Sequence, residues 1–488
     1  MKSHRQIFRS SAIIGSASAI NIFIGIVKIK LLAVILGPAG VGLMGLYQNI
    51  MNTASTLAGC GLDSSGVRQI AVSQRDQEIL ALVRKALFLA NLFLGILGMA
   101  LLWLAREPIA QLVFHDTVHA GEVGWLGVGV FFALITSSQI ALLQGLRHIG
   151  DIARVNVLGS FAGSIVGVFM IWWLGLNGVH WFVIAAPAAS MIFSAWYVRR
   201  IPRMHSNLDW TLLLQQWKSM LALGVPIMLA GSLSLITQLV ARSLVMKDLG
   251  LDASGYFQAA WTISMTYIGL VLGAMGTDYL PRLTEAIHDH DRVKDLVHEQ
   301  TEMALLMAGP VLLAMMAFAP WVIHLMYAES FAPATEILRW QVMGDIFKVI
   351  GWPMGFIVLA KGRGDLFILT QFNWNAIYLL CLWFGMESMG LLVVGVGFFV
   401  AYVFGVSLVR FVAGRLISFK SQAKNLVVFA ALLGSAGMIL ILSKFWPLSS
   451  LFFGGIFAFS FGIYSIWRLH QLLDLKSIAN AIIRRLRL

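Results

Sequence analysis

Five basic side chains fall inside apolar stretches long enough to cross a bilayer: Lys28, Lys30, Arg242, Arg339 and Lys348. A cation at such a depth costs about 2.5–3.5 kcal/mol, so five facing lipid would cost on the order of 15 kcal/mol. That rivals the stability of an ordinary domain, so most of them must face protein or water. The chemistry they offer is binding rather than bond-making: a sheltered cation can replace the hydration of an anion. No P-loop, clustered metal ligands or nucleophile elbow with partners accompanies them.

Spacing sharpens this reading. Ser18, Asn21, Gly25 and Lys28 share one helical face, while Ile20, Phe23, Ile24 and Val27 lie largely on the other. Gly231, Ser234, Gln238 and Arg242 form a second polar stripe, and Gln341, Asp345, Lys348 and Trp352 a third. The expectation is a cationic cavity for an anionic head group, lined by Lys28, Lys30, Arg242, Lys348, Asn21 and Gln238. Blander roles stay open. Lys28 and Lys30 are about 200° apart, so one can snorkel to the outer surface. Arg242 can be packed on backbone carbonyls, and Asp345 and Lys348 can neutralise each other. Arg339 is expected to pair with Glu336, and Asp278 to mark a helix end at the cytoplasmic surface. His180 and His324 read as interfacial residues.

The elements that must position these groups follow from composition. Of 488 residues, 59% are hydrophobic and 12% charged, which excludes a soluble globular domain and fits a bundle of membrane helices. Cys60 and Cys381 lack metal-ligand spacing and predict neither a disulfide framework nor a zinc site. The N-terminal apolar run continues to Leu36 and is kept as the first span rather than a cleaved signal.

Charged, Gly and Pro punctuation gives fourteen candidate spans: 10–36, 40–62, 84–105, 123–146, 155–175, 178–198, 219–246, 254–280, 303–327, 335–360, 366–386, 388–409, 425–443 and 449–467. With the N-terminus inside, and with Arg84 and Lys85 at the edge of the third span counted with the loop before it, 27 of the 35 Lys and Arg fall in cytoplasmic segments, three outside and five within spans. This positive-inside asymmetry puts both termini in the cytoplasm and explains the net charge of +12 without nucleic acid. A short internal repeat is visible. Leu36-Gly37-Pro38-Ala39-Gly40, then Tyr47-Gln48, echoes Leu249-Gly250-Leu251-Asp252-Ala253, then Phe257-Gln258. The expected fold is an all-α polytopic membrane protein of about 14 helices. It comprises an N-lobe (1–210), a C-lobe (211–415), each of six helices, and a C-terminal helix pair with a basic cytoplasmic tail (416–488). Pro226, Pro310 and Pro353 predict bends within helices.

Several stretches are similar to one family. Lys30-Leu31-Leu32-Ala33-Val34 with Gly37-Pro38-Ala39-Gly40 resembles the first helix and turn of Wzx-type O-antigen or lipid-linked oligosaccharide translocases. So do Tyr279-Leu280-Pro281-Arg282-Leu283-Thr284-Glu285 and, most specifically, Trp340-Gln341-Val342-Met343-Gly344-Asp345-Ile346-Phe347-Lys348-Val349 on to Ala360-Lys361. The match covers much of spans one to twelve. Spans thirteen and fourteen match less clearly. The wider superfamily includes multidrug exporters and a peptidoglycan-precursor flippase.

The resemblance implies a two-lobed transporter of the bacterial inner membrane, not an enzyme. It would move undecaprenyl-pyrophosphate-linked sugars from the cytoplasmic to the periplasmic leaflet, with Lys30, Arg242, Asp345 and Lys348 in matching positions. It implies no cofactor, and a polysaccharide polymerase and chain-length regulator as partners beside the lipid substrate and the bilayer. Because resetting an emptied cationic cavity opposes the membrane potential, proton or sodium coupling is expected, with Asp345 as its carrier. Three alternatives stand beside it: a cation-coupled multidrug exporter, a polymerase or ligase enzyme, and a scaffold of polysaccharide assembly. The first favours buried carboxylates, the second needs a sizeable periplasmic loop, and the third needs no charged helix interiors.

Overall fold

A computed structural model describes the backbone of residues 2–202 and 210–473. Part of the link between the expected lobes and most of the basic C-terminal tail lie outside the described residues. Among the described residues every regular element is helical, as expected of an all-α membrane protein. In chain order these are α1 (Lys2–Gly59), α2 (Leu62–Ser73), α3 (Gln77–Leu104), α4 (Arg106–Phe114), α5 (Ala120–Gly145), α6 (Ile149–Leu174), α7 (Val179–Val198) and α8 (Trp210–Leu249). They continue with α9 (Leu251–Glu285), α10 (His290–Ala317), α11 (Ala319–Met326), α12 (Ala334–Ala360), α13 (Gly364–Met389), α14 (Val393–Ile417), α15 (Ala423–Phe445) and α16 (Pro447–Leu473).

Ten helical stretches among the described residues are long and apolar enough to cross a membrane, or eleven if the bent pair Leu251–Gly273 and Asp278–Glu285 is one span. Three of these stretches, of 45, 50 and 54 residues, far exceed the ~20 residues that a bilayer needs. Each contains a break: Gly37 at φ 65°, the 3-10 turn Gly175–Gly178, and the 3-10 turn Gly390–Leu392. The fourteen expected spans are a finer division than this count of stretches.

The repeat extends beyond the short motif that announced it. Gly37 and Gly250 both take positive φ, 65° and 87°, and end a long helical segment. Asp76 caps α3 by accepting from the amides of Glu78 and Ile79, and Asp289 caps α10 by accepting from those of Asp291 and Arg292. The short helix α4 has its counterpart in α11. Each of these features recurs 213 residues further on. The first half of the scaffold is therefore written twice.

The chain forms two compact units, Met1–Gly255 with Met326–Ala328, and Tyr256–Leu325 with Glu329–Leu488. In the first, three glycines of α6 seat it on α7. A Cβ on Gly159, Gly163 or Gly167 would lie 2.4 Å from Ser190, 2.6 Å from Ala186 or 2.7 Å from Phe182. Glycines four apart let helix backbones approach closely in lipid, where apolar side chains alone provide little drive for association. In the second unit, α15 and α16 are fastened to α10. Glu302 pairs with Lys424 at 2.5 Å and Arg468 at 2.8 Å, and Asn425 donates to the His298 carbonyl at 2.9 Å.

The two copies of the repeat also touch within the first unit. A Cβ on Gly42 would lie 2.5 Å from the Leu251 carbonyl oxygen, and one on Gly255 2.0 Å from that of Pro38. The contact is reciprocal: the fifth residue after each break meets the first residue after the other. Gly255→Val should lower the melting temperature of the purified protein through an overpacking cost of about 1–3 kcal/mol. Gly231→Ala, which meets nothing within 4 Å, should leave it unchanged in the same thermal shift assay.

Candidate functional site

The first unit holds five of the residues singled out by the sequence. Asn21, Lys28 and Lys30 lie on α1, all half-buried, and Gln238 and Arg242 lie one turn apart on α8. Asn21 Oδ1 is buried without a hydrogen-bond partner among the described residues. The Lys28 ammonium sits 5.5 Å from the centroid of the Phe182 ring on α7. Arg242 is 5% exposed, and its Nη1 donates to the Gly45 carbonyl oxygen at 2.7 Å. In this conformation the guanidinium ties α8 to the segment of α1 just beyond the Gly37 break. This is the carbonyl-packed role that the sequence left open, and it places the cation in the interior.

In the second unit, Asp345 and Lys348 do not form an ion pair. Asp345 is fully buried, and its Oδ2 accepts from Ser264 Oγ at 2.6 Å and from the Tyr267 hydroxyl at 2.8 Å. Its Oδ1 has no partner among the described residues, nor has the side-chain amide of fully buried Gln341, one turn earlier on α12. Lys348 Nζ lies 3.5 Å from Met265 Sδ and 5.7 Å from the Tyr402 ring centroid. The two charges still interact through space, but their direct contacts differ: hydroxyls for the acid and soft, polarisable groups for the base. Arg339 pairs with Glu336 at 2.6 Å as expected, and Asp278 meets Arg282 at 3.5 Å on the surface. His180 is buried against Tyr47 and Trp181.

The structure adds a cleft that the sequence reading missed. Two adjoining cavities of about 320 and 610 Å³ in the first unit share Asp63, Ser64, Ala133 and Ser137. Ser55 and Asn91 line one of them and Gln144 the other. The lining includes no lysine or arginine, and Asp63 is its one charged residue. Ser55 Oγ and Asn91 Oδ1 are buried without a partner among the described residues. Hydroxyls and amides both donate and accept, so this wall suits a neutral polyhydroxylated ligand. The volumes fall within the ~300–1,000 Å³ of ordinary ligand sites. None of the predicted cations reaches it: Lys28 instead borders an apolar groove with α6.

Comparison with known proteins fixes first the class and then the family. The fold is that of the lipid II flippase MurJ in its inward closed conformation. The TM-score is 0.68 at 14% identity, over 95% of this chain and all of that one. A multidrug resistance MATE family transporter of the MOP superfamily shares the fold, with a TM-score of 0.67 at 17% identity over 82% of this chain and 96% of that one. The chain belongs to the polysaccharide biosynthesis protein family, whose profile matches residues 31–336. It is similar to the lipid III flippase of Escherichia coli (strain K12), 25% identical over 372 residues, 73% of this chain and 86% of that protein. It also resembles the lipopolysaccharide biosynthesis protein WzxC of the same organism, 20% identical over 403 residues, 81% and 78% of the two chains. The Wzx-type resemblance read from the sequence is thus borne out. Of the seven site candidates, Gln238 and Arg242 fall within the matched span.

Arg242→Ala should destabilise the protein by about 1.5–3 kcal/mol, the range for a hydrogen bond to a charged group. Arg242→Lys, which keeps the charge, should lose less. Thermal unfolding of the purified variants in one detergent checks the order.

Proposed function

We propose that the protein is a flippase for a lipid-linked oligosaccharide, an undecaprenyl-pyrophosphate-linked repeat unit of the O-antigen type. It carries this unit from the cytoplasmic to the periplasmic leaflet of the bacterial inner membrane by alternating access. The observation that carries this reading is the partition of chemistry in the first unit: a hydroxyl- and amide-lined cleft without basic residues for sugars, and basic side chains elsewhere for the anionic linkage. The family and the names of the relatives support the same class of cargo.

A pyrophosphate bears about two negative charges that cannot enter hydrocarbon unaided. In the first unit Lys28, Lys30 and Arg242 supply the positive charge of the route, with Asn21 and Gln238 as polar companions on the same helices, and in the second unit Lys348 is a further cation for it. An inside-negative potential drives the anion outward by ~2.3 kcal/mol per charge per 100 mV. Resetting the emptied cationic route works against that field, and a proton or sodium ion on Asp345 offsets the cost. The unpartnered Oδ1 of Asp345, with the Gln341 amide one turn away, is the acceptor available for it. Both termini lie in the cytoplasm, and a polysaccharide polymerase and a chain-length regulator are the expected partners.

A cation-coupled multidrug exporter is the second reading, and the buried carboxylate of Asp345 is the observation that favours it. Glycan export separates the two. In a host lacking its own flippase, the Lys28→Ala, Arg242→Ala double variant should reach the membrane yet display about tenfold less surface glycan, as for ~1.4 kcal/mol of lost anion stabilisation. Immunodetection on intact cells reads the outcome. Full display by the double variant sinks the cationic route, and drug resistance without glycan display by the unaltered protein favours the exporter.

A further inference from the structure

Lys28 of the cation route also borders an apolar groove whose hydrocarbon walls neither the cleft nor that route uses. The groove encloses about 500 Å³ between α1 and α6. One wall is Phe23, Val27 and Leu31 of α1, and the other is Phe161, Ile165 and Phe169 of α6, with Trp172 at its outer end. The glycine face of α6 is spent on α7, so these larger side chains point away from that seam. Phe23, Ile165 and Phe169 are 68%, 56% and 50% exposed, and in a membrane-spanning chain that exposure is to lipid. From Phe23 to Ile35 the groove follows α1 for about 18 Å at 1.5 Å per residue, over half of the ~30 Å hydrocarbon thickness.

Lys28 is the one charged residue lining this groove. It has no acidic partner among the described residues, and its ammonium rests on the Phe182 ring. The residue lies where two faces of one helix meet, the Ser18–Asn21–Gly25 polar stripe and the Phe23–Val27–Leu31 apolar stripe. An occupant aligned with α1 therefore needs an anion at the boundary and a long hydrocarbon chain on the oily side. The flippase reading supplies one such amphiphile, an anionic carrier whose long hydrocarbon chain is isoprenyl.

We propose that the α1–α6 groove seats the isoprenyl chain of the anionic lipid carrier, with its phosphate drawn to Lys28. This inference rests on the flippase reading and assigns the carrier's tail a protein site rather than free lipid.

The test is photolabelling of the full-length protein in vesicles of phosphatidylethanolamine and phosphatidylglycerol with a diazirine-bearing undecaprenyl phosphate. Adducts should map to peptides covering residues 23–35 and 161–172. Unlabelled undecaprenyl phosphate should compete, while added phosphatidylglycerol should not. Lys28→Gln should reduce groove labelling about tenfold, a decade of affinity, and Lys28→Arg should retain it. Competable labelling confined to other helices overturns the groove and leaves the flippase reading standing. Displacement by phosphatidylglycerol to the same degree makes the groove an ordinary phospholipid seat and overturns the proposal. Absence of any competable labelling removes the carrier reading and the groove together.

Discussion

In hydrocarbon no water satisfies a freed amide or carbonyl, so a membrane chain can interrupt its helices only where protein covers the break. The structure of this chain follows from that constraint. Gly37 breaks α1 next to Pro38, a residue without an amide hydrogen, and Gly250 breaks the chain between α8 and α9. The segments that follow are pressed together, Gly42 on Leu251 and Gly255 on Pro38, so each copy of the repeat covers the other just beyond its break, while Gly250 itself is exposed. Arg242 completes the arrangement by donating to the carbonyl of Gly45, three residues beyond Gly42. A cation expensive to bury is used where backbone oxygens need covering.

The duplication and the chemistry are distributed differently. Breaks, aspartate caps and short helices recur at a constant interval, while the charged and polar groups of the candidate sites do not. The counterpart of Asp345 is Phe132, and that of Lys348 is Ile135. Asp63, in the hydroxyl-lined cleft, corresponds to Gly276. A scaffold written twice thus carries two unlike sets of side chains: sugar-compatible hydroxyls in one half, and a buried acid with a separate base in the other.

This difference explains what could be read from the sequence. Membrane class, the all-helical fold, the break at Gly37 and the repeat are properties of local composition and spacing, and each survives in the structure. The Arg339–Glu336 pair was legible because both partners sit on one turn of one helix. The cleft was not, because its wall is assembled from single serines, asparagines and glutamines on α1, α2, α3, α5 and α7. Each of these alone looks like an ordinary helix-packing residue. The helical wheel placed Lys28 with the polar stripe. Its four-carbon stem carries the ammonium round to Phe182, which no pattern of Cβ positions reveals. Asp345 and Lys348, three apart, look like partners until α9 and α14 supply Ser264, Tyr267 and Tyr402.

The glycine seam between α6 and α7 has a mechanical consequence. Backbones in such close contact move as one plate, which fixes the orientation of Phe161, Ile165 and Phe169. The facing segment of α1 ends at a single glycine break, Gly37. Any swing of that segment about Gly37 opens or narrows the channel along the stationary plate, so helix tilt and grip on a hydrocarbon chain become one degree of freedom.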